Sequence, residues 1–150
     1  MRLEPLMTYY AELKAPVAVG LGPYGQRAIF EVIGGAFEGA RLNGKILTGG
    51  GDWLLFDADG VGHLDVRATF QTHDGAVIYV QYFGRLVASD NLTEALAGTG
   101  STDYGDEHFF SQPRFETGDE RYKWLNRVMA VGQGRVRNGR VEYQVFECAN

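Results

Sequence analysis

Asp52 and Asp65 are the carboxylates in this sequence best placed for acid–base chemistry. Asp52 follows Gly49-Gly50-Gly51 and precedes Trp53, so an anionic acceptor and a large π-surface stand side by side after three residues without side-chain bulk. Asp65 and Arg67 are two residues apart and share one face of any strand that holds them. Carboxylates in different environments have their pKa values pushed apart, so that one can take a proton from a hydroxyl while the other delivers a proton to carbon. In such a site Asp52 and Asp65 are the catalytic pair, Arg67 holds an anionic oxygen and Trp53 stacks on a ring. Tyr79 and Tyr82 are supplementary donors, and Phe109 and Phe110 line the site from a lid.

Each of these features also has a plainer reading. The glycine run with Trp53 could be a β-bulge or barrel corner carrying a core tryptophan. Asp65 and Arg67 on a solvent face would be an ion pair worth about 0–1 kcal/mol. Alternation alone leaves the choice of face open. We place the Asp65–Arg67 face toward a lumen, because ligand-binding barrels carry a few convergent polar groups. Glu107-His108-Phe109-Phe110, with Pro113 and Phe115 beyond, reads as a lid over a barrel mouth or as a hydrophobic plug.

Other motifs carry less. Gly20-Leu21-Gly22-Pro23-Tyr24-Gly25 spells the dinucleotide-binding pattern, but Pro23 interrupts it and a β-like run follows where a helix is required, so it reads as a loop. His63, His73 and His108 lack metal-ligand spacing, and no metal or other cofactor is expected. None of Ser89, Ser101 and Ser111 sits in a nucleophile elbow, and Cys148 has no adjacent base. A single cysteine excludes an internal disulfide framework and any multi-cysteine metal site.

The elements that must position these residues are β-strands. The chain has 150 residues, a length that fits one domain, residues 1–150. Leu64 to Thr72 alternates, with Leu64, Val66, Ala68 and Phe70 on one face. Ala76 to Leu86 is apolar on both faces, which predicts cover on both sides, the outer one by a partner subunit. Further strands are expected over Leu6–Lys14, Arg27–Ile33, Ala40–Leu47, Trp53–Asp57, Arg127–Arg135 and Arg140–Glu147. Asn43-Gly44, Asp59-Gly60, Asp74-Gly75 and Asn138-Gly139 predict tight turns. Short helical turns are expected after Asn91 and Thr117, and Gly98 to Gln112 reads as a long irregular stretch. Tyr122, Trp124 and Leu125 should fix the second helical turn onto the barrel. An antiparallel barrel follows, since an open sheet would leave edges to protect.

A net charge of −5 argues against a nucleic-acid partner. No apolar run approaches the ~18 residues that span a bilayer, and the N-terminus lacks a signal-peptide layout, so no membrane partner and a reducing cytoplasm are expected.

Gly34-Gly35-Ala36-Phe37-Glu38-Gly39, Leu42-Asn43-Gly44, Gly49-Gly50-Gly51-Asp52-Trp53, Asp65-Val66-Arg67, Thr72-His73-Asp74-Gly75 and Tyr122-Lys123-Trp124-Leu125-Asn126 occur in this order. Together they resemble the bacterial and fungal family known as domain of unknown function 3237, from about Leu6 to Cys148. The resemblance implies a compact antiparallel β-barrel, similar in outline to the calycin and allene-oxide-cyclase types, and often self-associated. It also implies that some relatives act without cofactor, adding a phenol hydroxyl across an alkene to close an oxygen ring. Three functions remain open at this level. One is a cofactor-independent cyclase or isomerase acting on a phenolic or polyketide-like molecule. Another is a carrier barrel that binds a small aromatic ligand without turnover, and the third is a homo-oligomer-building module.

Overall fold

Antiparallel pairing organises nearly the whole chain in the computed structural model, which describes all residues from Met1 to Asn150. The strands are β1 (Arg2–Leu13), β2 (Val17–Gly22), β3 (Gly25–Glu38), β4 (Asn43–Ile46), β5 (Gly50–Phe56), β6 (Val61–Thr72), β7 (Val77–Val87), β8 (Phe109–Glu116), β9 (Ala130–Arg137) and β10 (Arg140–Ala149). A short helix, α1 (Asp90–Leu96), and a 3-10 helix (Glu120–Arg127) interrupt them.

The sheet closes on itself, because β1 pairs with β10 on one side and with β3 on the other. From β10 it runs through β9, β8, β7 and β6. Between β6 and β3 a single stave is shared, with β4 filling one end and β5 the other. The result is a closed eight-stranded antiparallel barrel, and β2 is a hairpin arm added to the end of β3. Closure pairs most of the barrel's edges, and the outer side of the β2 arm stays open.

Period-two patterning explains which side chains fill it. On β6, Leu64, Val66, Ala68 and Phe70 are all buried, as are Ile78, Val80, Tyr82 and Leu86 on β7. Tyr9, Ala11, Val141, Tyr143 and Val145 complete the interior from β1 and β10. Gly134 faces inward to make room for a ring: a Cβ there would lie 2.9 Å from Phe109. The Asn138-Gly139 turn has positive φ at both residues, 51° and 75°, the requirement of a tight two-residue hairpin.

Several sequence expectations are corrected. Phe109–Glu116 is a strand, not a lid or loop, and the irregular stretch ends before it. Asn43-Gly44 lies within β4 rather than in a turn, and Gly44 is required because a Cβ would collide with the Gln71 carbonyl across the pair. The Gly20–Gly25 pattern is the β2–β3 hairpin. Helix α1 is capped by Ser89, two residues before the expected Asn91, and the 3-10 helix by Asp119, two residues after the expected Thr117. Tyr122 and Leu125 are buried and hold the 3-10 helix on the barrel, while Trp124 packs under the Arg41 guanidinium, 4.1 Å away.

Candidate functional site

Asp52 is flanked in register by Phe30 on β3 and Val66 on β6, both buried. Side chains in one row of a sheet share a face, so the Asp52 carboxyl points into the barrel. There it lines a cavity of about 30 Å³ with Leu54, Val66, Tyr82, Phe109 and Tyr143, and is the one charged group in an otherwise apolar wall. Burial pushes its carboxyl up from 3.8 to about 7. The Asp65 backbone N–H, donating to Oδ1 at 3.1 Å, pulls it part of the way back, the Asp65 charge raises it and Arg27 lowers it. A carboxyl poised near 7 exists in both protonation states at neutral pH, as general acid–base catalysis requires.

Three tyrosines surround this interior. Tyr143 stacks on Tyr9 with centroids 5.0 Å apart and meets Tyr82 edge-on at 5.5 Å. Burial, the largest influence on each, holds all three phenols well above their usual range, so they are donors rather than bases. The hydroxyls of Tyr9 and Tyr143 are buried with no hydrogen-bond partner. A buried hydroxyl without a partner costs about 1–3 kcal/mol.

Helix α1 closes the end of this space. Leu13, Phe30 and Leu96 line the inner cavity and also an outer cleft of about 240 Å³ that reaches Ala95, Ala97 and Gly98. Those three side chains are common to both spaces and so separate lumen from surface at the α1 end.

The other candidate residues are distributed differently from the sequence reading. Asp65 and Arg67 face outward and form no ion pair, because the alternating Leu64, Val66, Ala68 and Phe70 take the interior and burying both charges would cost far more. Trp53 is 38% exposed on the outer face, and Tyr79 is 37% exposed there. Tyr82 and Phe109 face the lumen as lining groups, whereas Phe110 is outside. The glycine run serves strand packing: a Cβ on Gly50 would lie 2.5 Å from the Arg67 carbonyl oxygen. Tyr9 and Tyr143 were missed, although the alternation Met7, Tyr9, Ala11 and Val141, Tyr143, Val145 carries the signal. No three His, Cys, Asp or Glu side chains gather in a metal-ligating group, and no helix is long and apolar enough to cross a membrane.

The profile of the family described as protein of unknown function DUF3237 matches residues 1–148. The chain belongs to the DUF3237 family. A curated relative, UPF0311 protein RPA1785 of Rhodopseudomonas palustris, is 31% identical over 123 residues, covering 82% of this chain and 80% of the relative. The crystal structure of RPA1785 superposes with a TM-score of 0.87 at 28% identity, covering 98% of each chain. A β-barrel-like protein from Acinetobacter baumannii gives a TM-score of 0.83 at 34% identity, over 97% of this chain and 94% of that one. A Penicillium herquei protein described as an enzyme shares the fold, with a TM-score of 0.71 at 23% identity over 97% and 92% of the two chains. This DUF3237 barrel is thus a small β-barrel whose relatives, like itself, have the same closed architecture.

Proposed function

We propose that the protein is a cofactor-free acid–base enzyme, a cyclase or isomerase, whose site is the lumen around Asp52. The observation that supports this reading is a single carboxyl, shifted to about 7, aimed into an apolar interior that Tyr82 and Tyr143 also line, the Tyr143 hydroxyl without a partner. One carboxyl can complete a ring closure by itself. As the acid, Asp52 gives its proton to an alkene carbon. A hydroxyl of the same substrate bonds to the cation so formed, and the proton it loses returns to the Asp52 carboxylate. Exclusion of water protects the cation, and the tyrosine hydroxyls hold substrate oxygens. Asp65 acts here by orienting Asp52 through its backbone, not as the second acid.

The substrate class that fits is a small, mostly apolar phenolic or polyketide-like molecule. A cavity of about 30 Å³ holds a water or two, so such a ligand enters only by displacing Leu96 and joining the inner cavity to the cleft under α1. The outer face of β7 supports self-association, with Phe83 47% and Val87 44% exposed in the neighbourhood of Phe110. The lone Cys148 fits a cytoplasmic setting.

The test uses 2-prenylphenol as probe, with binding followed by tyrosine fluorescence and conversion to the cyclic ether by chromatography. Asp52→Asn should lower turnover by roughly 10²–10⁴-fold while sparing affinity. Turnover unaffected by that change overturns the assignment of Asp52. Binding with no conversion by the unaltered protein favours the carrier function instead.

A further inference from the structure

Every arginine of the chain but three has a partner. Arg2, Arg41, Arg121, Arg135 and Arg137 are ion-paired. Arg27 and Arg85 donate to backbone carbonyls, and Arg140 lies over the Tyr10 ring. The three without a hydrogen bond, ion pair or aromatic contact are Arg67, Arg114 and Arg127, and they gather on one outer face. Arg67 is in register with Gln81 on β7, and Gln81 is in register with Arg114 on β8. Strands about 4.8 Å apart set the Cα atoms of Arg67 and Arg114 about 10 Å apart, within reach of long side chains converging on one group. Arg114, Arg127 and Gln81 line a surface groove of about 420 Å³, which Tyr79 and Met129 flank with apolar surface.

Three exposed guanidinium groups gathered without counterions repel one another, and here they do so in a chain of net charge −5. The acids close by are few: Glu116 lines the groove and Asp65 precedes Arg67 on the same face, and neither is ion-paired. Arginine pairs bidentately with phosphate and carboxylate, and its plane stacks on flat apolar surface.

We propose that this groove is a second binding site, separate from the lumen, for a small organic dianion: a phosphate or paired carboxylate carried on a flat apolar body. The oxyanion is held by Arg67, Arg114 and Arg127, with the Gln81 amide between the strands, and the apolar body rests on Tyr79 and Met129. Glu116 sets the limit on charge density and disfavours monoanions that bring less compensation.

Phenyl phosphate is the probe, titrated calorimetrically into the full chain at low salt, with inorganic phosphate and phenol as separate arms. We expect saturable binding of phenyl phosphate at least tenfold tighter than of either fragment, weakening as salt is raised. Arg114→Gln and Arg127→Gln should each weaken it about tenfold or more, Glu116→Gln should strengthen it, and Arg140→Gln should leave it unchanged. All four side chains are on the surface, and melting curves confirm that folding is intact. Asp52→Asn should leave this binding untouched, which separates the groove from the lumen. Three results would overturn the proposal: no saturation by 10 mM on the order-of-magnitude scale of weak ligands, equal affinity for inorganic phosphate, or binding that survives both arginine replacements.

Discussion

The backbone N–H of Asp65 donates to Asp52 Oδ1 at 3.1 Å, so two carboxylates thirteen positions apart in the sequence divide one task. The main chain of the outward-facing residue aims the side chain of the inward-facing one. The carboxylate outside then acts on the carboxyl inside only through charge, by discouraging its ionisation.

That arrangement has a consequence for stability. The Asp52 carboxyl is raised from 3.8 to about 7 by folding, so the folded state binds a proton that the unfolded state releases across that interval. The Asp52 contribution to stability therefore declines as pH rises from about 4 to about 7 and levels off above. The shift corresponds to a loss on the order of 4 kcal/mol at most. Asp52→Asn removes the titration, so its stability relative to the unaltered protein should be greater at pH 8 than at pH 4.5. Urea denaturation at both pH values measures this, and parallel pH profiles for the two proteins would refute it.

Tyr143→Phe deletes a hydroxyl that is buried and has no partner. Without ligand the change should be neutral or stabilising by about 1 kcal/mol, since no hydrogen bond is lost and a desolvated group is removed. Affinity for 2-prenylphenol should fall in the same variant. A drop in melting temperature with unchanged affinity would make Tyr143 a purely structural residue.

Helix α1 is held at its start by Ser89, whose hydroxyl accepts from Leu92 N at 3.0 Å and donates to Glu107 at 2.8 Å. Ser89→Ala should cost about 1 kcal/mol, concentrated in the helix. Amide exchange should quicken in Asp90–Leu96 and not in β6 or β7, and ligand association should accelerate. Uniform exchange across the barrel would show that α1 does not open separately.

Gly134→Ala places a methyl group against the Phe109 ring, 2.9 Å from its nearest atoms. Crowding of this kind costs about 1–3 kcal/mol. Phe109→Leu in the same chain should recover part of the loss, a non-additivity that a thermodynamic cycle resolves. Strict additivity would place the cost elsewhere.

The barrel class was legible because β6 and β7 alternate cleanly, and the two-faced apolar pattern of β7 matches its buried inner row and half-exposed outer row. Phe109–Glu116 alternates as well, with Phe109, Ser111, Pro113 and Phe115 buried. The Phe109-Phe110 pair and Pro113 disguised it. Proline is tolerated there because the pairing of β8 with β9 covers only Phe110 and Ser111. Asp52 stands out in the sequence through its neighbours, yet the glycines before it serve backbone approach, and its buried environment comes from strands distant in sequence. The orientation of Asp65 and Arg67 was decided by competition, since the four apolar residues that alternate with them gain more from the interior than two charges could.

Sedimentation at tens of micromolar, an order-of-magnitude range for modest interfaces, should show an assembly larger than one chain, and Phe83→Glu should shift it toward monomer. A single-chain species under both conditions would remove self-association from the proposed function.

β1 is gripped by β3 on one side and by β10 on the other, with Arg2 opposite Ala149. Its second partner is therefore synthesised after every other stave of the barrel. Until Arg140–Ala149 emerges, a nascent chain carries β1 and β9 as bare edges and an unsealed apolar trough, the kind of species that chaperones retain and that aggregates when released early. Stalling translation just before Arg140 should therefore yield a chain that is protease-sensitive throughout, rather than a barrel lacking one stave.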